Sequence, residues 1–316
     1  MKKRVLVTNP RYSTPRQRIP FHQKITKPPA TFKDVQGPTL VILAAGRARR
    51  YGGLKQLAPI GRHGEGVIDL IAADAISAGF SEFVVIINDD TGPTIQKHIA
   101  EVWPKTHKVS FAVQDKLRGT VDAVLSARDL VDPSTPFAVS NADDLYGPDA
   151  FGKLSQHLQN SSNSCLVAYE LDNSLIGDLP VSRGVCDIEG NRLVKVTERR
   201  NVTFTPEGFA ADDGLAPTFV ADDSWVSMNL WGFQPAVWPL LERAVAEHDF
   251  SESDEVLLPT FVADAMERDG LVFDVLYTGT RCIGVTHAHD LPLAQFLVRQ
   301  EIKLGLRPEY AFEPQS

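Results

Sequence analysis

Residues 41–57 read VILAAGRARRYGGLKQL, an apolar run that breaks into a loop of glycines and cations: Gly46, Arg47, Arg49, Arg50, Gly52, Gly53 and Lys55. Glycine lets a backbone pass close to a ligand and take φ > 0. Exposed N–H groups beside Arg and Lys make a cradle for phosphate oxygens. This composition suits a polyphosphate, although a solvated basic turn after a strand has the same makeup. Three further sets of residues could do chemistry. Gln114, followed by Gly119-Thr120, offers side-chain and backbone donors to a base or a phosphate. Asp143-Asp144 offers carboxylates, and beside a polyphosphate pocket these suit Mg²⁺, which takes oxygen ligands and keeps several waters. Glu198-Arg199, with Gly184 and Asn229, offers a carboxylate and an amide suited to sugar hydroxyls. Each set is weak alone, since an Asp after a strand commonly makes a turn or caps a helix. Four sets on one predicted face make a candidate site.

The elements that must position these residues alternate from residue 39 onward. Strands are expected at 40–45, 83–87, 109–113 and 137–140, and helices at 66–79, 91–102 and 121–130. Gly79 stands where the first helix should be capped. Such alternation means a parallel sheet with right-handed crossovers and ligands at the carboxyl ends of its strands. All four sets fall at such ends. After about residue 160 the rhythm changes. Strands are expected at 165–171, 184–188, 193–198 and 226–233, then helices at 235–248 and 255–267, strands at 271–277 and 281–285, and a helix at 290–304. This second half should extend the same sheet. Residues 200–224, rich in Gly, Pro, Asp and Thr, read as a surface insertion, and residues 308–316 as frayed.

The chain has 316 residues, enough for one large α/β core, with 43% hydrophobic and 23% charged residues. No apolar run approaches the ~20 residues that span a bilayer, and the basic start is not followed by a signal-like apolar stretch. Cys165, Cys186 and Cys282 are odd in number, widely spaced and without a metal-ligand pattern, which points to a reducing cytoplasm. Residues 1–38 hold nine Lys or Arg, six prolines and one acid, a net of +8, so with a formal total of −8 the remainder carries −16. An acidic body disfavours nucleic acid as its main partner. The arm reads as a flexible basic extension, the weak exception on that point. The organisation is therefore an arm at 1–38, a domain at 39–306 split into halves at 39–160 and 161–306, and a tail at 307–316.

At the same residues the chain resembles the sugar-1-phosphate nucleotidyltransferases, whose signature loop is LAAG-x-G-[TS]-R-x(n)-K. It is most similar to a bacterial branch with GSRYGGLKQ loops. That branch also shows GE-x-x-[IL]-D, DAI-x-AGF, NADDYYG, VSRGV and VSMN-x-WGF. Here these appear as GEGVIDL (64–70), DAISAGF (74–80), NADDLYG (141–147), VSRGV (181–185) and VSMNLWGF (226–233). The resemblance implies a Rossmann-like (GT-A-like) α/β fold, with a mixed, mostly parallel central sheet flanked by helices. It implies a Mg²⁺-dependent enzyme that converts an NTP, UTP or dTTP by preference, and a sugar 1-phosphate into a nucleotide sugar and pyrophosphate. By residue, it implies that Leu43, Ala44, Ala45 and Gly46 lie against the nucleotide and that Arg49 neutralises the β- and γ-phosphates. Lys55 would stabilise charge at the α-phosphate, and Gln114 and Gly119, with Thr120, would read the base. Asp143 would hold the metal, and Gly184, Glu198, Arg199 and Asn229 would contact the sugar.

Three departures qualify the resemblance. Ala48 replaces a family Gly. Glu198-Arg199-Arg200 replaces Glu-Lys-Pro, so any contact of that Lys must come from Arg199. Gly284, in CIGVTHAHDL (282–291), falls where the family has its second metal aspartate, leaving Asp144 or Asp290 as substitutes. His287, His289 and Asp290 read as a metal cluster or, on the favoured reading, as a helix-start cap. Two alternatives remain. One is a cytidylyltransferase acting on an alcohol phosphate or phosphocholine. The other is a catalytically silent relative that binds a nucleotide sugar and regulates a partner. A Rossmann dehydrogenase is disfavoured, because the first loop lacks G-x-G-x-x-G. Homo-oligomerisation is left open.

Overall fold

The computed structural model describes residues 37–46, 53–177, 179–251, 255–285 and 287–313. Arg47, Ala48, Arg49 and Arg50 and the basic arm up to residue 36 lie outside the described residues. In the first half the strands are β1 (Thr39–Leu43), β2 (Glu82–Ile87), β3 (Lys108–Val113) and β4 (Phe137–Asn141), with helices α1 (Val67–Ser77), α2 (Gly92–Val102) and α3 (Thr120–Leu125) between them. They pair in parallel in the order β4-β1-β2-β3, with Leu43 opposite both Ile86 and Asn141. β1 is apolar from Leu40 to Leu43 because both faces are covered. Leu40, Ile42 and Ala44 face a layer that includes α1 and α2, while Val41 and Ala45 face the layer of α3. Gly79, at φ +89°, follows the last turn of α1 as the sequence leads one to expect.

Beyond β4 come a two-residue strand β5 (Asp144–Leu145), a helix α4 (Pro148–Asn160) and strand β6 (Ser164–Glu170). α4 is absent from the sequence-based expectations, although Pro148 at its first turn and buried Ala150, Phe151, Leu154 and Leu158 at helical spacing mark it. The antiparallel part follows: β7 (Val181–Glu189), β8 (Arg192–Thr205), β9 (Gly208–Ala211), β10 (Phe219–Val220) and β11 (Trp225–Phe233). α5 (Trp238–Glu247), α6 (Leu258–Asp269), β12 (Phe273–Thr278), β13 (Ile283–Gly284) and α7 (Leu291–Lys303) complete the chain. The main sheet runs β10-β9-β8-β12-β6-β11-β4-β1-β2-β3, with β7 bridging β8 and β11. β11 is antiparallel to both β4 and β6 and joins the two halves into one sheet. α1, α2, α4 and α7 lie in one helical layer, and α3, α5 and α6 in the other.

Two expectations change. Residues 200–224 are not a plain surface loop: β8 runs on to Thr205 and, with β9 and β10, forms an antiparallel meander at the sheet edge. The tail is not frayed over its described length. Arg307 is 4% exposed, and it bonds Asp74 Oδ1 on α1 at 2.7 Å and Glu301 Oε2 on α7 at 3.0 Å. Tyr310 stacks on His63, and Phe312 packs against Trp103. Among the described residues no helix is long and apolar enough to cross a membrane.

Candidate active site

The loop after β1 is held from below by side-chain amides. Gln56, 2% exposed in the 3-10 turn Lys55–Leu57, donates from Nε2 to the Ala44 carbonyl at 2.8 Å and more weakly to that of Gly46 at 3.4 Å. Asn88, just past β2, donates to the intervening Ala45 carbonyl at 2.6 Å. Three successive carbonyls thus have donors in the protein, which fixes the peptide planes where a Gly-rich loop would otherwise be loose. Leu43, Ala44 and Ala45 lie at the strand end as expected, and Gly46 is exposed above them. The adjoining turn presents Lys55, whose ammonium pairs with the carboxylate of Asp143, two residues past β4.

Asp143 and Asp144 share this strand end but not one environment. Asn141 Nδ2 donates to Asp144 Oδ2 at 2.8 Å. Burial, and next the charge of Asp143, push the Asp144 carboxyl up to about 6. Asp144 pairs with Gly284 across β5 and β13, and a Cβ at position 284 would come within 2.5 Å of Asp144 Oδ1. Asp144 therefore fills the room a side chain at 284 would need. Asp290 does not share this role: its Oδ2 accepts from the His287 N–H at 2.7 Å and caps the start of the helical turn before α7. The cap reading of His287, His289 and Asp290 fits this geometry, and among the described residues no three His, Cys, Asp or Glu gather to hold a metal. Two adjacent carboxylates still suit Mg²⁺, which needs only one or two from the protein. Tyr146 braces this end, accepting from the Asn141 N–H at 2.9 Å and donating to the Met228 carbonyl at 2.8 Å.

Gln114 leaves β3 with its N–H on the Ile87 carbonyl, beside Asn88. Gly119, at φ +96°, must be glycine twice over, since a Cβ there would come within 2.4 Å of the Val256 carbonyl oxygen. The Thr120 hydroxyl oxygen accepts from the Leu258 N–H at 2.8 Å and so also ties this loop to the start of α6.

In the second half, Gly184 and Glu198 face each other across β7 and β8, and Gly184 also faces Ser227 across β11. A Cβ at 184 would lie 3.1 Å from Val196 Cγ2 and 3.2 Å from Ser227 Cβ. Burial raises the Glu198 carboxyl, with Arg183 and Arg200 opposing. Asn229 has φ +59° and lies in a β-bulge between Ser227 and Trp231, where its Oδ1 accepts from Trp231 Nε1 at 3.2 Å. Arg199 does not join these residues. It is 4% exposed, and its guanidinium bonds Asp213 at 2.7 and 3.1 Å and the Pro217 carbonyl at 2.9 Å. It anchors the meander. Alternation along a strand explains the difference, because Glu198 and Arg199 must face opposite sides.

Sequence reasoning missed Gln56 and Asn88, which shape the loop, and Asp122, which binds Gln114. It also missed Arg183, which bonds Ser174 Oγ at 3.0 Å and lies within the field of both Asp144 and Glu198. Gln56 and Arg183 stand inside the LKQ and VSRGV motifs, the one signal that could have found them.

Residues 40–248 match the family model of the MobA-like NTP transferase domain. No curated protein sequence matches the chain. Among solved structures, the inositol-1-phosphate CTP transferase from T. maritima is similar at TM-score 0.63 and 15% identity, over 86% of this chain and 99% of that one. A UDP-glucose pyrophosphorylase complexed with UDP-glucose is similar at TM-score 0.59 and 14% identity, over 84% and 99%. A protein from Bacillus anthracis assigned as a glucose-1-phosphate thymidylyltransferase is similar at TM-score 0.62 and 13% identity, over 83% and 95%. At these identities the likeness is one of fold, the Rossmann-like GT-A fold that the resemblance implied. The family match spans both strand ends that carry Lys55 and Asp143, and on that ground the chain belongs to the MobA-like NTP transferase family and is a nucleotidyltransferase.

Proposed function

We propose that the chain transfers a nucleotidyl group from UTP or dTTP to a sugar 1-phosphate, releasing pyrophosphate, in a Mg²⁺-dependent reaction. The observation that carries this reading is the pairing of Lys55 with Asp143 beside a phosphate loop whose carbonyls are clamped. The cation for the α-phosphate and the carboxylate for a metal meet at one point. An acceptor phosphate oxygen forms a bond to the α-phosphorus in line, and the bond from that phosphorus to the bridging oxygen of pyrophosphate breaks. The nucleophile is already anionic, so no general base is needed, and positioning and charge neutralisation do the catalysis. Lys55 stabilises charge at the α-phosphorus. Asp143, with Asp144 beside it, would hold Mg²⁺, which supplies further neutralisation of the phosphates. Leu43 to Gly46 and Arg49 belong to the nucleotide side of this reading. Gln114 and Gly119 belong to the base, and Gly184, Glu198 and Asn229 to the sugar.

A second reading, transfer from CTP to an alcohol phosphate, draws on the likeness to the inositol-1-phosphate enzyme. The regulatory reading draws on Gly284, and the Lys55–Asp143 pair weighs against it. A cytoplasmic location is part of the proposal, supported by three free, buried cysteines. The test is pyrophosphate release by the full chain from UTP, dTTP, CTP, GTP and ATP against sugar 1-phosphates, inositol 1-phosphate and phosphocholine, with and without Mg²⁺. Release with UTP or dTTP and a sugar 1-phosphate is expected. Release only with CTP and an alcohol phosphate establishes the second reading, and no release with any pair removes both.

A further inference from the structure

The amide of Gln114 cannot choose which way it faces. Its Nε2 lies 3.1 Å from the Gly119 carbonyl oxygen and 3.0 Å from Asp122 Oδ2. An ionised carboxylate can only accept. A flip would set Oε1 against two acceptors, so the surrounding network decides the orientation. Asp122 is itself held, since Arg118 Nη2 donates to its Oδ1 at 2.6 Å. Gln114 is 5% exposed, and no described residue donates to its Oε1 or accepts from the Gly119 N–H. Both groups stand at the strand edge that carries the clamped loop, because Gln114 follows β3 beside Asn88 and Asn88 binds Ala45.

We infer that Asp122 is a specificity-determining positioning residue. It locks Gln114 as a hydrogen-bond acceptor, so that Oε1 and the Gly119 N–H together read a base edge with a ring N–H beside a carbonyl. Uracil, thymine and guanine carry that edge. Cytosine and adenine carry a bare ring nitrogen at the same place, whose lone pair would face Oε1. The inference rests on the proposed nucleotide site and names the class of base it takes.

The test is calorimetric binding of UTP, dTTP, GTP, CTP and ATP, each with Mg²⁺, to the full chain. The tightest of UTP, dTTP and GTP should bind at least roughly tenfold more tightly than CTP or ATP, the scale for one well-made hydrogen bond against an unpaired one. In Asp122→Asn, Arg118 keeps the oxygen, so the new amide nitrogen faces Gln114. Donor then meets donor on that side while the Gly119 carbonyl still attracts Nε2 on the other, so neither orientation of Gln114 is locked. The preference should fall to within about threefold. Gln114→Met removes the acceptor at similar length and should collapse the preference without inverting it. A purely structural role would lower thermal stability and weaken all nucleotides alike, leaving the ratio where it was. Wild-type binding without discrimination, or a ratio that survives both substitutions, overturns the inference and leaves the nucleotide site standing. If no nucleotide binds the wild type, the site itself falls and takes the inference with it.

Discussion

At the carboxyl ends of β1, β2 and β3, buried amides hold the backbone; at β7, β8 and β11, backbone register holds the side chains. In the first region Gln56, Asn88 and Gln114 spend their nitrogens on carbonyls or a carboxylate of the protein itself. Asn88 spends its oxygen inside the protein as well, accepting from the Thr91 N–H at 2.8 Å, and the orientation of Gln114 is set by the groups its nitrogen binds. In the second region Gly184 and Glu198 are brought together by antiparallel pairing, and Asn229 by a bulge with positive φ. The first arrangement fixes backbone and amide groups in a geometry that hardly depends on surface side chains, as the nucleotide side of the proposed reaction needs. The second can change its acceptor by one residue of register, since such a slip exchanges one face for the other.

The sharpest way to break this comparison is in the first region. Lys55→Ala should lower kcat by roughly 10²–10³, the scale for losing one transition-state stabiliser, with little change in thermal stability. Steady-state pyrophosphate release and a melting curve check both halves of that statement. Wild-type turnover in the variant would remove Lys55 from the chemistry. A large loss of stability with modest loss of turnover would turn the Lys55–Asp143 pair into a scaffold contact.

How much of this was legible follows the same division. In a parallel βα half each candidate residue follows an apolar run, so the position of Asp143 after β4 and of Gln114 after β3 could be read directly from the chain. The roles of neighbours could not. Thr120 looks like a ligand group at a helix start, yet its hydroxyl also binds Leu258, 138 positions away. Arg199 stands next to Glu198 in the sequence, and only the face of β8 shows that it binds Asp213. The Gly/Asp-rich composition of 200–224 hides the meander, because its pairing partners lie within the segment and its register is set by turns. Residues 308–316 read as frayed because Tyr310 and Phe312 find their partners far back in the chain, at His63 and Trp103.

The second region offers a sharper contrast between two adjacent residues. Arg199→Ala leaves the Asp213 carboxylate, 3% exposed, without its guanidinium. Removing one partner of such a pair should cost roughly 3 kcal/mol, seen as a lowered denaturant midpoint, while the acceptor KM of the folded enzyme stays near wild type. Glu198→Gln should do the reverse, keeping stability and raising the acceptor KM about tenfold through one lost charge-assisted hydrogen bond. If Arg199→Ala raises the acceptor KM as much as Glu198→Gln does, the assignment of the two faces of β8 is wrong.

The smallest expected effect lies behind the first region and concerns the Asp69 of GEGVIDL, whose sequence role was unassigned. Its carboxylate accepts from the Gly66 N–H at 2.8 Å at the start of α1, from Trp103 Nε1 at 2.8 Å, and meets His98 Nε2 at 2.9 Å on α2. It ties the helix that follows the phosphate loop to its neighbour. The hydrogen bond to Asp69 raises the His98 pKa above 6.5, with burial opposing. A histidine whose folded value exceeds its unfolded one contributes stability in full below about pH 6.5 and loses it as pH rises through the folded value. Only the pH-dependent share is lost, because Gly66 and Trp103 keep Asp69 bonded, so the effect should be about 1 kcal/mol or less. His98→Gln keeps a donor of similar reach and cannot titrate. The fall in melting temperature between pH 6 and pH 8 should therefore be about 2 °C smaller in His98→Gln than in wild type. Subtracting one protein from the other cancels Asp144, Glu198 and every other group that titrates in both. Equal falls in the two proteins would mean that His98 stays neutral against Asp69, and that the α1–α2 tie is carried by Trp103 and the helix cap alone.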